Sequence, residues 1–158
     1  VVGTALYFAS DLSTFTTGTV LPVDGGRTAM VQPYVASVDR DGERALVLVR
    51  GRLLHAARKG AILTGSGSRV ADGELFAEED MAPAEPSAAE VALARRVLDA
   101  LPFDAASLLY ARVDLVTGED GAPLLLELEL TEPSLFLALA PGSADAFAEA
   151  VLDGIGTD

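Results

Sequence analysis

Cysteine is absent from the 158 residues, so the chain has no disulfide framework, no zinc–thiolate site and no thiol nucleophile. Histidine occurs once, as His55, which leaves little room for a catalytic triad or a histidine-rich metal site. Lysine also occurs once, as Lys59, and the other bases are all arginine. Positive charge is the scarce sign: 24 acids stand against 11 bases, for a formal charge of −13. That excess argues against nucleic-acid backbones and anionic membrane surfaces as partners. A phosphorylated small molecule stays compatible with it, provided a metal or a local cluster of bases supplies positive charge. Half of the residues are hydrophobic and the mean hydropathy is +0.35. Even so, no apolar run approaches the roughly 18–20 residues of a membrane span. The start, VVGTALYFASDLS, has no basic stretch and no initiator Met, so it does not read as a secretory signal. A soluble, cytoplasmic protein with one real core is the expectation.

What is present has an order. Residues 1–10 read as the end of an apolar helix, and TGTVLPVDGG (17–26) as a strand stopped by Asp24-Gly25-Gly26. AMVQPYV (29–35) reads as a short strand broken by Pro33. ERALVLVRGRLLHAARKG (43–60) looks like a hairpin bent at Arg50-Gly51. Residues 60–84 are rich in glycine, serine and acids without periodicity, and predict a loop. Ser87 and Glu90 form a capping box after Pro86, and Val91, Ala94, Leu98 and Leu101 keep helical spacing until Pro102. SLLYARVDLV (107–116), GEDGAP and LLLELEL (124–130) predict strand, turn, strand, and a last amphipathic helix spans about 143–153.

The acids inside that second hairpin raise the functional question. Asp120-Gly121 favours a two-residue type I′ turn, whose central residues both need positive φ. Such a turn sets Asp114 opposite Glu127 and Arg112 opposite Glu129, at sites where Cα atoms approach to roughly 4.5 Å. Pro123 would then face Gly118 and break no ladder bond. One face of the hairpin becomes Asp114, Glu127, Glu129 and Arg112, and the other is packed with Val113, Leu115, Leu126, Leu128 and Leu130. Opposed carboxylates repel unless a cation sits among them, and an oxygen-only set suits Mg²⁺. The same pattern also fits the solvated face of an edge hairpin, with Arg112 simply paired to Glu129. Glu132, before Pro133, reads as a loop acid. In the first hairpin, a two-residue turn at Arg50-Gly51 sets Glu43 opposite Arg58 and His55 opposite Leu46. Arg58 and Lys59 are neighbours, so only one can aim into a given site, and a surface ion pair is the alternative for both. His55 is read as a satisfied or exposed histidine in preference to a ligand.

These motifs carry a family resemblance. MVQPYVASVDRDGERALVLVRGRLLHAARKG, then YARVDLV and LLLELELTEPSLFL, resemble the C-terminal half of an ATP-grasp ligase over about residues 30–150. The nearest branch is the glutathione-synthetase-like and O-ureido-serine cyclo-ligase-like enzymes. That resemblance implies an α+β fold: an antiparallel sheet with helices on one face, forming a C-terminal subdomain that is an incomplete clamp by itself. It implies ATP and Mg²⁺ as cofactors, and ligation of a small-molecule carboxylate to an amine-type nucleophile through an acyl-phosphate. Gln32, Pro33, Tyr34 and Val35 would form the hinge that meets adenine, and Glu43 would hold ribose. Asp114 and Glu127 would hold the metal with Glu129 beside them. Arg112, with Arg58 or Lys59, would stabilise the transferring phosphoryl group.

Residues 1–26, ending in TGTVLPVDGG, resemble instead the C-terminal tail of a short-chain dehydrogenase/reductase, although G-x-x-x-G-x-G and Tyr-x-x-x-Lys occur nowhere. The sequence therefore predicts a reductase-like piece at 1–28 and an ATP-grasp subdomain at 29–158. The resulting expectation is a ligase fragment that is inactive alone or needs a complementing half, or a homo-oligomer. The rival is a non-catalytic reductase remnant or an acidic interaction module.

Overall fold

The computed structural model describes residues 19–23, 27–31, 34–60 and 80–155. The chain divides into two compact units, Val1–Tyr34 and Val35–Asp158. In the first, β1 (Thr19–Val23) and β2 (Arg27–Val31) pair antiparallel, from Thr19 with Val31 to Val23 with Arg27. The strand expected over 17–26 is thus present in shortened form. The helix expected at 1–10 lies outside the described residues, as does most of the stretch 1–28 for which a reductase-like piece was expected.

The second unit opens with a single helical turn, α1 (Val38–Asp41), closed by Gly42 at φ 70°. A Cβ at Gly42 would run into the backbone carbonyl oxygen of Lys59, so this approach to the sheet requires glycine. Five strands follow: β3 (Glu43–Val49), β4 (Arg52–Lys59), β5 (Met81–Ala84), β6 (Tyr110–Thr117) and β7 (Pro123–Glu129). They form one antiparallel sheet in the order β5-β4-β3-β6-β7. With two helices longer than a single turn, α2 (Ala88–Asp99) and α3 (Ser143–Ile155), this is the α+β architecture the sequence implied.

The sheet has two different faces. Leu46, Leu48, Ala56, Ala111, Val113 and Leu115 make the apolar one, and α2 buries Ala94 and Leu98 against it. The capping box starts α2 as expected: Glu90 N–H donates to Ser87 Oγ at 3.2 Å, and Ser87 N–H to Glu90 Oε2 at 2.6 Å. The other face carries Ala45, Val47, Ala57, Arg112 and Asp114. At its end, Phe147 of α3 meets Tyr110 with ring centroids 6.4 Å apart. β3 is central and buried on both faces from Ala45 to Val49, which is why it reads as an unbroken apolar run.

Both hairpins correct the expected register. In the first, Arg50 and Gly51 take φ 50° and 73°, the two-residue turn foreseen. Val49 pairs with Arg52 and Leu48 with Leu53, but Val47 pairs with His55, leaving Leu54 as a bulge. Glu43 therefore faces Lys59, not Arg58, and His55 faces Val47, not Leu46. Without the bulge, His55 would enter the apolar face where Ala56 now packs. In the second hairpin the turn is one residue longer. Gly121 N–H donates to the Gly118 carbonyl at 3.0 Å and Gly118 N–H to that of Ala122 at 2.7 Å, and only Gly121 is left-handed, at φ 79°. Asp120 thereby avoids positive φ, and its Oδ1 accepts from Ala122 N–H at 3.0 Å. Pro123 faces Thr117 instead of Gly118, one step from that bonded pair, so its missing N–H is still not required.

A three-residue turn alone would rotate Glu127 and Glu129 onto the apolar face. A bulge at Leu126 prevents it: Leu115 pairs with Leu125, but Asp114 pairs with Glu127 and Arg112 with Glu129. Losing one ladder bond costs about 1 kcal/mol, whereas burying two unpaired carboxylates costs several each. The bulge wins. A third correction concerns residues 60–84, where Met81–Ala84 form the edge strand β5 with Pro83 opposite Ala57. An edge position tolerates that proline. Among the described residues, no helix is long and apolar enough to cross a membrane.

Candidate functional site

The two bulges bring acids and bases from β3, β4, β6 and β7 onto one face. Asp114 is at the centre, 1% exposed. Its Oδ1 accepts from Arg112 Nε at 2.9 Å, and its Oδ2 from Arg112 Nη2 at 2.9 Å, Arg112 Nε at 3.2 Å and Lys59 Nζ at 2.7 Å. Lys59 also meets Glu43 Oε2 at 2.7 Å. Ala57 and Ala45 lie between the Lys59 strand position and Asp114 on this face, and their small side chains leave room for the lysine stem to cross. Arg112 is tied further to Glu129 Oε1 at 2.8 Å and to the Ser134 carbonyl at 3.2 Å, and its guanidinium lies 5.4 Å from the Phe136 ring centroid.

Asp114, Glu127 and Glu129 each offer one carboxylate oxygen within 4.8 Å of the others. That is the oxygen-only set the sequence pattern anticipated, and its donors are hard oxygens of the type Mg²⁺ takes. Electrostatics separate the members. Partial burial, then repulsion from Glu129 and Asp114, raises the Glu127 pKa, and Arg112 and Lys59 offset only part of this. Burial alone would lower the pKa of Lys59, but hydrogen bonds to Asp114 and Glu43 and the charges of both acids raise it overall. Burial is likewise outweighed at Arg112, where Asp114, Glu129 and Glu127 hold the guanidinium more firmly charged. The cluster holds four acids and two bases. Its surplus is negative, concentrated at Glu127.

Other expected site residues fall elsewhere. Arg58 points away from this face and pairs with Asp80 at 2.9 Å, so of the adjacent bases Lys59 is the one brought in. Gln32 and Pro33 lie outside the described residues. Tyr34 is exposed and belongs to the first unit, while the Val35 carbonyl accepts from Val38 N–H at 3.1 Å at the start of α1. Glu132 is an exposed loop residue at φ 59°.

His55 is buried beside Val47, and neither of its ring nitrogens meets hydrogen-bond geometry, which corrects the reading of a satisfied or exposed histidine. Burial lowers its pKa, opposed by the backbone of Leu135. Sequence reasoning missed Ser134 and Phe136, which grip Arg112, because nothing local signals a loop carbonyl or a ring beneath a guanidinium. It also missed the Lys59–Asp114 pair, which reaches across β3 from β4 to β6.

The chain is 40% identical over 133 residues to the cycloserine biosynthesis protein DcsG of Streptomyces lavendulae, which covers 81% of this chain and 42% of that protein. The crystal structure of D-cycloserine synthetase DcsG superposes with a TM-score of 0.65 at 32% identity, over 82% of this chain and 43% of that one. The ATP-grasp ligase PsnB, complexed with a minimal precursor, matches with a TM-score of 0.52 at 17% identity, over 96% of this chain and 51% of that one. The PsnB likeness shows the fold alone: a sheet with helices of the kind found in ATP-grasp ligases. The chain spans 42% of the length of the curated relative. No family model matches.

Proposed function

We propose that this chain carries the metal- and phosphate-binding face of an ATP-dependent ligase that joins a small carboxylic acid to an amine-type nucleophile. The observation that carries the reading is the Asp114–Glu127–Glu129 cluster within 4.8 Å, flanked by two buried bases. The similarity to DcsG supports small-molecule chemistry for the same site.

In this reading Asp114 and Glu127 hold Mg²⁺, with Glu129 positioned beside them by Arg112. The ion, when bound, supplies charge neutralisation for phosphate oxygens. The residues of the chain do the rest. Arg112 is fixed by Glu129, Ser134 and Phe136, so its charge is pre-oriented and needs little reorganisation as negative charge builds on a phosphoryl group. Lys59 supplies a second positive charge on a flexible stem. The substrate carboxylate attacks the γ-phosphorus, ADP leaves, and the acyl-phosphate is then taken by the nucleophile with release of phosphate. Gln32 to Val35 serve as the adenine hinge in this proposal. Glu43 is assigned to Lys59, because its carboxylate is already engaged there.

Isothermal titration of MgATP into the full chain tests the reading. Heat with a Kd at or below about 1 mM is expected, with affinity weakened at least about tenfold in Asp114→Asn. No binding at millimolar nucleotide would leave the cluster as a structural ion network only.

A further inference from the structure

Asp114 already carries two cations. Three donor groups, Arg112 Nε and Nη2 and Lys59 Nζ, reach it, and three of their four contacts fall on Oδ2. A divalent ion drawn to this carboxylate meets both positive charges, and the departure of one relieves the repulsion. Arg112 is the wrong one to move, since Glu129, the Ser134 carbonyl and the Phe136 ring also hold it. Among the described residues, Lys59 has one other ion-pair partner, Glu43, at 2.7 Å. It is also a point charge on a mobile stem, and it would share one carboxylate with a doubly charged ion.

We infer that Lys59 is the resident counter-ion of Asp114 and exchanges with the incoming metal, swinging on Glu43 to meet the nucleotide phosphates. This rests on the metal-site reading above and deepens it. Glu43 is then a positioning residue: it keeps the freed ammonium within the site, where polyphosphate oxygens recapture it. Exchange also spares the chain an uncompensated charge in either state. Lys59 neutralises Asp114 while the metal is absent, and the metal does so afterwards.

Lys59 is the only lysine in the chain, so one side-chain ammonium resonance reports on it. The experiment uses the full chain labelled with ¹⁵N-lysine and ¹³C-carboxyl carbons, with couplings read across the hydrogen bonds. Without metal, the ammonium should correlate with both an aspartate and a glutamate carboxyl carbon. Mg²⁺ should abolish the aspartate correlation and leave that to glutamate, and MgADP should shift the ammonium again. In parallel, Lys59→Gln should bind Mg²⁺ alone roughly tenfold more tightly but MgATP roughly tenfold more weakly. A merely structural lysine would not move those affinities in opposite directions.

Calorimetric Mg²⁺ binding with the aspartate correlation intact would overturn the exchange while leaving the metal site standing. So would a Lys59→Gln variant that bound Mg²⁺ and MgATP both more weakly. Absence of any Mg²⁺ binding would remove the metal site and the exchange with it.

Discussion

The β3–β4 hairpin turns on two residues, Arg50 and Gly51, both left-handed, and its strands run in step for two pairs before the bulge at Leu54. The β6–β7 hairpin turns on three residues with only Gly121 left-handed, and runs three pairs before the bulge at Leu126. The turns differ and the outcome is shared. In each strand one extra residue changes the phase, so that polar side chains reach the buried polar face: His55 and Lys59 from β4, Glu127 and Glu129 from β7. A turn dictates pairing only as far as the first bulge. Beyond it, the cost of placing charges among Leu46, Val113 and Leu115 decides.

The two hairpins meet at Asp114, so breaking the comparison starts there. Asp114→Ala leaves Lys59 and Arg112 buried without their shared acid, and should destabilise the chain by about 3–5 kcal/mol in denaturant unfolding. The role of the bulge is sharpened by two deletions that each remove one leucine from LLLELEL. Deleting Leu126 regularises the ladder with both acids still on the polar face, so divalent-ion binding should survive with stability changed by no more than about 1 kcal/mol. Deleting Leu128 turns Glu129 toward Val113, so binding should collapse with a loss of about 2–4 kcal/mol. Equal effects of the two deletions would refute the phase argument.

Smaller effects distinguish individual charges. Glu127→Gln relieves repulsion from Glu129 and Asp114, so it should stabilise the metal-free chain slightly, by no more than about 0.5 kcal/mol given its exposure to solvent. The same variant should weaken Mg²⁺ binding, and that opposition of signs is measurable by melting curves with and without metal. On the β4 side, His55 has a folded-state pKa below its ordinary 6.5. The unfolded chain therefore takes up a proton first on acidification, and stability should fall as pH drops through about 6.5, levelling off below the folded-state pKa. His55→Gln should flatten that limb of the profile.

Much of the site was legible from alternation alone. Leu/Glu periodicity placed Asp114, Glu127, Glu129 and Arg112 on one face, and the structure agrees, although by a longer turn and a compensating bulge. The capping box at Ser87 and Glu90 and the stop before Pro102 needed only local rules, and both stand. The local pattern pairs Glu43 with the wrong base because a bulge at Leu54 leaves no local mark: the residue is one of two adjacent leucines before His55. Strand β5 was hidden by Pro83, which usually argues against a strand and is tolerated here at the sheet edge. The Lys59–Asp114 contact, spanning 55 residues, depends on sheet order and could not be read from either hairpin by itself.

The claim on which the rest stands is that the acids of β6 and β7 hold one divalent ion between them. Diffraction from crystals of the full chain grown with Mn²⁺ and ADP, collected at the manganese edge, tests it directly. The account predicts a single strong anomalous peak bonded to Asp114 and Glu127. A map with no peak at those carboxylates at millimolar Mn²⁺, or with manganese bound only elsewhere, would contradict it.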